Sequence, residues 1–218
     1  KDHVGLFKVG LELFVSEGPR VLQAITDKTQ VKIFLDLKFH DIPETVRGAQ
    51  RAANMHGAEF ITVHCEEGTK LLGAVVYNTT NITKVLGVTV LTSLSKQDIK
   101  DIGIKSALQD PLKLVLYRAE LAKKAGCSGV VCSGKEVKAV KEKFGKDFIV
   151  VVPGVRPSWS QVPNDDQARV TTPYEAIRDG ADYIVVGRPI RYAKEPQEAA
   201  KKIANEIEKA LKTPNKKD

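Results

Sequence analysis

The chain of 218 residues predicts an α/β fold, a parallel sheet covered by helices. Strand-like and helix-like stretches alternate strictly along it. The strand stretches are near-continuous apolar runs, as expected of strands buried on both faces. The length suits one domain of barrel or doubly wound size. Seven strand stretches are visible, joined by short connections. A closed barrel of this class needs eight, so either the sheet is open or one strand is missing.

Gly5–Leu11 reads as the first strand, with Lys8 its one charge. Ser16 is placed to cap a helix through Val21, Leu22 and Ile25. Val31–Leu37 is the second strand, and a helix from Pro43 carries Val46, Ala49 and Ala53 on one face and stops at Gly57. Phe60–Cys65 is the third strand, with a helix around Leu71–Val76. Lys84–Thr92 is the fourth, followed by a loop with a short helix to Gly103. Leu112, Val115, Leu116, Ala119 and Ala122 recur at helical spacing between Pro111 and Ala125. Gly129–Ser133 is the fifth strand, and Val137, Val140 and Phe144 mark the next helix. Phe148–Gly154 is the sixth strand, and a polar loop spans Val155–Val170. Thr172-Pro-Tyr-Glu175 is a capping box with proline at the first helical position. Tyr183–Arg188 is the seventh strand, and the last helix runs from Pro196 to Leu211. Residues 1–211 read as a single domain, and 212–218 as a basic C-terminal tail.

The formal charge of +7 permits an anionic ligand. Much of it lies on scattered helix-face lysines and on the tail, a solvated surface rather than a nucleic-acid stripe. No apolar run reaches the length of a membrane span, and no secretory signal pattern is present. Cys65, Cys127 and Cys132 form no C-x-x-C pair and cannot all be paired internally. They point to a reducing, cytoplasmic compartment and to buried thiols rather than a metal site or disulfide frame.

The most informative stretch is Val31–Thr45. Strand alternation points Phe34, Asp36 and Lys38 to one face. An opposite-charge pair in a buried strand is costly unless each partner holds the other. Asp41 follows just past the strand, so that a carboxylate, an ammonium and a second carboxylate converge at a strand's C-terminal end, where α/β proteins place their chemistry. On spacing alone a structural ion pair is as good a reading; the other strand ends tip the balance. They gather Lys8, His64, Thr92, Arg156, Gly187 and Arg188. Gly187-Arg188-Pro189 offers close backbone approach, a guanidinium fork and a helix start, which suit a phosphate. Pro153-Gly-Val-Arg156 opens the longest loop, read as a mobile lid, and Gln167 near its end is a second phosphate donor. Taken singly, Arg156 and Gln167 would be ordinary loop residues. His40 and His64 receive no catalytic role.

Together, Phe7-Lys-Val-Gly10, Leu35-Asp-Leu-Lys-Phe-His-Asp-Ile-Pro-Glu-Thr45, Leu91-Thr-Ser93, Pro153-Gly-Val-Arg156, Asp166-Gln167 and Val186-Gly-Arg188 resemble the orotidine 5′-monophosphate decarboxylase family, in its order and spacing along nearly the whole chain. The Asp-x-Lys-x-x-Asp core is shared with related sugar-phosphate barrels; Lys-Phe-His-Asp-Ile-Pro is more specific. The resemblance implies a (βα)8 TIM barrel, a homodimer, and cofactor-free conversion of orotidine 5′-monophosphate to UMP and CO2, the last step of de novo pyrimidine synthesis. It assigns Lys38 as proton donor to the ring carbon that loses CO2, Asp36 as the carboxylate beside the departing group, and Lys8 as its link to the ribose. Asp41 and Thr45 match residues that reach across the dimer interface, and Thr92 lies on the pyrimidine side. Arg156, Gln167, Gly187 and Arg188 match the phosphate group. The family's first strand ends in a ribose-binding Asp and is followed by a helix. This chain starts where that helix would end, so an N-terminal segment is expected to precede Lys1. No residue here replaces that Asp.

Two rival readings compete. A sister enzyme acting on a keto-sugar phosphate, as decarboxylase or aldolase, would share Asp36, Lys38 and Asp41 but use Mg2+, for which the strand ends offer no suitable further acidic ligand. A non-catalytic nucleotide-binding barrel would not need the full lysine and aspartate set. On physical grounds Lys38 is expected to be held charged between Asp36 and Asp41, with Lys8 balancing the array.

Overall fold

The computed structural model describes residues 1–77, 83–160 and 169–213; Gln167 and the tail beyond Thr213 lie outside them. In chain order the first elements are β1 (Leu6–Gly10), α1 (Leu11–Glu17), α2 (Arg20–Thr29), β2 (Lys32–Phe39), α3 (Pro43–Met55), β3 (Ala58–His64), α4 (Gly68–Val76) and β4 (Lys84–Val88). Then come α5 (Lys96–Asp101), α6 (Pro111–Lys124), β5 (Gly129–Val131), α7 (Val137–Phe144) and β6 (Ile149–Val152). The last are α8 (Pro173–Arg178), β7 (Tyr183–Ile184), α9 (Arg188–Arg191) and α10 (Pro196–Lys212). Short 3-10 turns cover Ser106–Leu108 and Gly134–Glu136. The chain forms two compact units, Lys1–Thr89 with Arg118–Val130, and Val90–Tyr117 with the chain from Val131 on.

In the first unit β1, β2, β3 and β4 are parallel neighbours, with Gly10 opposite Asp36, Leu35 opposite Ile61 and Ile61 opposite Val85. The Ser128 N–H on Val85 O leads into β5. Ile33, Phe34, Leu35 and Asp36 are all buried in succession, which explains why β2 reads as a continuous apolar run. Helix α3 buries Val46, Gln50 and Ala53, spaced about one and two turns apart, starts at Pro43, and gives way to Gly57 at φ +70°. One expectation fails here. Ser16 lies inside α1, its hydroxyl on Glu17, and the cap of α2 is Pro19, whose ring sets a helical φ of −66° after the turn at Gly18.

In the second unit β6 and β7 pair in parallel, Val151 opposite Tyr183, and the Cys132 N–H reaches Val151 O. The capping box of α8 forms as the sequence predicts: Thr172 Oγ1 accepts the Glu175 N–H, and the Glu175 carboxylate accepts the Thr172 N–H. Helix α10 buries Ala199, Ile203 and Ala210 and runs one residue past the expected Leu211. The fourth strand stops at Val88 rather than Thr92. Beyond it the carbonyls of Val90 and Leu91 bond the buried guanidinium of Arg169 instead.

Candidate active site

The first unit gathers three charges at the C-terminal ends of β1 and β2. Lys38 Nζ donates to Asp36 Oδ2 at 2.9 Å, and Lys8 Nζ lies 3.3 Å from the same oxygen. The other oxygen, Oδ1, accepts the Thr62 hydroxyl at 3.0 Å. Asp36 is 8% exposed. Burial pushes its carboxyl up, but the Lys38 and Lys8 ammoniums and the hydrogen bonds from Lys38 and Thr62 outweigh it and hold the group below the ordinary carboxylate range. Two cations on one carboxylate oxygen leave a local excess of positive charge. Such a place favours an incoming anion or a negative charge that develops during reaction.

The backbone is bent to make this contact. Lys38 has φ +51°, the left-handed region, where a side chain costs about 1–2 kcal/mol. The pairing of β2 with β3 shifts register between Leu35 and Phe39, so regular alternation, which the sequence reading used, does not continue through residue 38. Thr62 Oγ1 accepts the Lys38 N–H at 2.9 Å while its hydroxyl serves Asp36, fixing both the strained residue and its partner. Gly10 leaves the room that Lys8 needs: a Cβ there would lie 2.9 Å from the Lys8 ammonium. Neither Thr62 nor Gly10 was assigned from sequence. A lone threonine inside the apolar run Phe60–Val63 was the available signal for the first.

Asp41 stands apart from this group. It is exposed, and its Oδ1 accepts the Ile42 N–H ahead of α3. The expected cation between two anions is therefore, within this chain, an anion between two cations. Thr45 is exposed on the first turns of α3. Beside Asp41 opens a cleft of about 520 Å³, lined also by His40, Ile42, Glu67 and Lys70. His40 Nε2 lies 2.7 Å from Glu67 Oε1, and its ring packs on that of His64 at 5.2 Å. Burial pushes the His64 imidazole below its ordinary value, partly countered by Glu66, which suits a packed strand end.

The phosphate candidates belong to the second unit. Arg156 is half-buried; its N–H donates to Thr171 O at 2.8 Å and its guanidinium to Val155 O. Gly187 caps the four-residue α9, which has Pro189 in its first turn, where the Gly-Arg-Pro spacing predicts a helix start; β7 stops at Ile184, so Arg188, expected at the end of that strand, is instead the first helical residue. Thr92, half-buried, sits in a turn closed by the Leu94 N–H on Leu91 O. Gln167 falls outside the described residues.

A profile described as the orotidine 5′-phosphate decarboxylase / HUMPS family matches residues 1–203. The chain belongs to this family. It is 50% identical over 214 residues to the orotidine 5′-phosphate decarboxylase of Desulfosudis oleivorans, covering 97% of this chain and 86% of the relative. It is 45% identical to that of Geobacter sp. strain M21, covering 94% and 86%. Among solved structures it resembles the orotidine 5′-phosphate decarboxylase of Lactobacillus acidophilus, with a TM-score of 0.78 at 37% identity over 92% of this chain and 85% of that one. The fold class is that of the family's (βα)8 barrels, with seven parallel strands among the described residues.

Proposed function

We propose that this member of the family decarboxylates orotidine 5′-monophosphate to UMP and CO2, the last step of de novo pyrimidine synthesis. The observation that carries the reading is the convergence of Lys8 and Lys38 on one oxygen of buried Asp36, in a chain half identical to a protein of that name.

Loss of CO2 from an sp2 ring carbon leaves a localised carbanion with no electron sink. The rate must come from charge already placed where negative charge develops. An ammonium about 4 Å away contributes about 4 kcal/mol at an effective dielectric near 20. Lys38 supplies that charge and then the proton, so that C–CO2 cleavage leaves an electron pair that takes H+ from Nζ. Asp36 lies beside the departing carboxylate and holds the Lys38 ammonium in place through the 2.9 Å contact. Lys8 links Asp36 to the ribose. Thr92 faces the pyrimidine, and Arg156, Gln167, Gly187 and Arg188 bind the phosphate. No step in this scheme calls on a cofactor.

Asp41 and Thr45 act across a homodimer interface, each serving the partner's site; their exposure on this chain and the separation of Asp41 from Lys38 support that assignment. The protein is read as cytoplasmic because Cys65, Cys127 and Cys132 are free and buried. No helix among the described residues is long and apolar enough to cross a membrane.

The test is CO2 release from orotidine 5′-monophosphate by protein treated with a chelator. Stoichiometric UMP and CO2 are expected. Absence of both, or activity that disappears on chelation and returns with Mg2+, overturns the reading. Arg188→Ala should raise KM about a hundredfold, the value of a charge-assisted phosphate contact. An unchanged KM would remove Arg188 from the phosphate group.

A further inference from the structure

The second unit contains a buried ion pair that the mechanism above does not use. Arg169 is 8% exposed and Glu136 3%. Arg169 Nη1 donates to Glu136 Oε1 at 2.7 Å, and its Nη2 is shared between the carbonyls of Val90 (3.2 Å) and Leu91 (3.0 Å). Leu91 immediately precedes Thr92. On the other side, the Arg169 carbonyl accepts the Ser133 hydroxyl at 3.1 Å. Two residues on, Thr171 accepts the Arg156 N–H and bridges Val155 in parallel. The fit at this point is tight: a Cβ on Gly134 would run into the Thr171 side chain.

We propose that the Arg169–Glu136 pair is a positioning device, which holds the turn carrying Thr92 and the segment carrying Arg156 in one fixed register. The roles of Thr92 and Arg156 rest on the function proposed above.

The geometry argues against a purely stabilising purpose. The strongest arginine–carboxylate pairs put both prongs of the fork on the acid. Here the fork is divided, and Glu136 Oε2 and Arg169 Nε are buried with no hydrogen-bond partner among the described residues. Burial pushes the Glu136 carboxyl above its ordinary value even against the pull of Arg169. Apolar residues of similar volume often serve stability as well as such a pair or better. What they cannot do is grip two successive carbonyls and an acid at once. Arg169 thus fixes Val90 and Leu91 through its side chain and stands two residues from the backbone bond that seats Arg156.

The test removes both charges together with Arg169→Met/Glu136→Leu, since paired apolar replacement avoids stranding a buried charge. The variant is expected to melt within a few degrees of the parent. Its kcat/KM for orotidine 5′-monophosphate should fall about tenfold or more, and the Arg156 amide should exchange its hydrogen about tenfold faster. A double-mutant cycle with Thr92→Ala separates positioning from stability. Thr92→Ala should cost markedly less in the variant than in the parent. Retention of at least half the parent kcat/KM, or a cycle that is additive, overturns the proposal. If the double variant does not fold, Arg169→Lys is measured in the same way, because one ammonium cannot reach Glu136 and both carbonyls. If the parent itself releases no CO2, the functional reading fails. The positioning claim then stands or falls on the Arg156 amide exchange alone.

Discussion

The first unit carries the same electrostatic figure twice, an acid flanked by two lysines, on three neighbouring strands around Glu59 and on two around Asp36. At the N-terminal ends of β2, β3 and β4, Glu59 lies between Lys32 and Lys84. Each lysine has its own carboxylate oxygen, both at 3.0 Å. At the C-terminal ends, Lys8 and Lys38 crowd onto a single oxygen of Asp36 while Thr62 takes the other. The Glu59 lysines are largely in water, with side chains 65% and 41% exposed, against 33% and 30% for Lys8 and Lys38. The Glu59 group is close to its electrostatic minimum as it stands. The Asp36 group holds two like charges together in a drier place and on a strained backbone, an arrangement that becomes favourable when a further negative charge arrives. Motif composition is shared; the division of oxygens and the exposure of the lysines are what differ.

The largest break in this comparison is a lysine truncation on each side. Lys38→Ala should lower kcat about 100,000-fold, combining the lost charge with the lost proton transfer, while the protein remains folded. Lys84→Ala should leave kcat within about twofold, as an exposed ion pair has little to do with the reacting bond. Steady-state kinetics on both variants checks this, and near-parental turnover by Lys38→Ala removes that residue from the mechanism.

Gly10→Ala tests the crowding itself. The new methyl must displace the Lys8 ammonium, and a misplacement of about 1 Å costs up to about a hundredfold in rate. The melting temperature should hardly move, because the backbone at Gly10, φ −99°, suits any residue. A kcat/KM equal to the parent's would show that Lys8 does not need its present seat.

A subtler contrast lies in acid. The pKa of Asp36 is depressed in the folded state, so its contribution to stability is present above the unfolded value near 3.9 and is lost as pH falls through the lower folded value. Glu59 is shifted in the same direction: burial pushes its carboxyl up, but its two lysines hold it below the ordinary range. Urea unfolding of Asp36→Asn beside the parent should therefore show a stability gap that narrows as pH drops below about 4. Glu59→Gln should show the same narrowing with smaller amplitude, since its lysines are solvated in either state. A gap independent of pH would mean that Asp36 is not ionised in the folded protein. The smallest effect expected is Lys84→Ala on stability, under about 1 kcal/mol by denaturant titration.

Much of this was legible in sequence for a physical reason. Parallel strands buried on both faces are written as apolar runs, so Lys8, Asp36 and Lys38 were conspicuous as charges within them. Capping chemistry is local, and Thr172-Pro-Tyr-Glu175 therefore announced α8. What sequence did not disclose depends on third parties. The carbonyls of Val90 and Leu91, read as strand, are held by a guanidinium from Arg169, far along the chain, and no local pattern at Val90 or Leu91 contains that information. The left-handed turn at Lys38 is imposed by Thr62 on the neighbouring strand, so alternation named the right partners by a rule the backbone does not follow there. Helix α1, only seven residues long and without a side-chain cap, lacked the signals that mark longer helices.

The three cysteines have a practical consequence. Their thiols are at most 5% exposed, and burial drives each to a higher pKa, that of Cys127 to about 12. Neither condition for attack by a disulfide reagent, thiolate or access, is met while the chain is folded. Reagent consumption then clocks how often each part of the molecule opens, with Cys65 and Cys127 reporting on the first unit and Cys132 on the second.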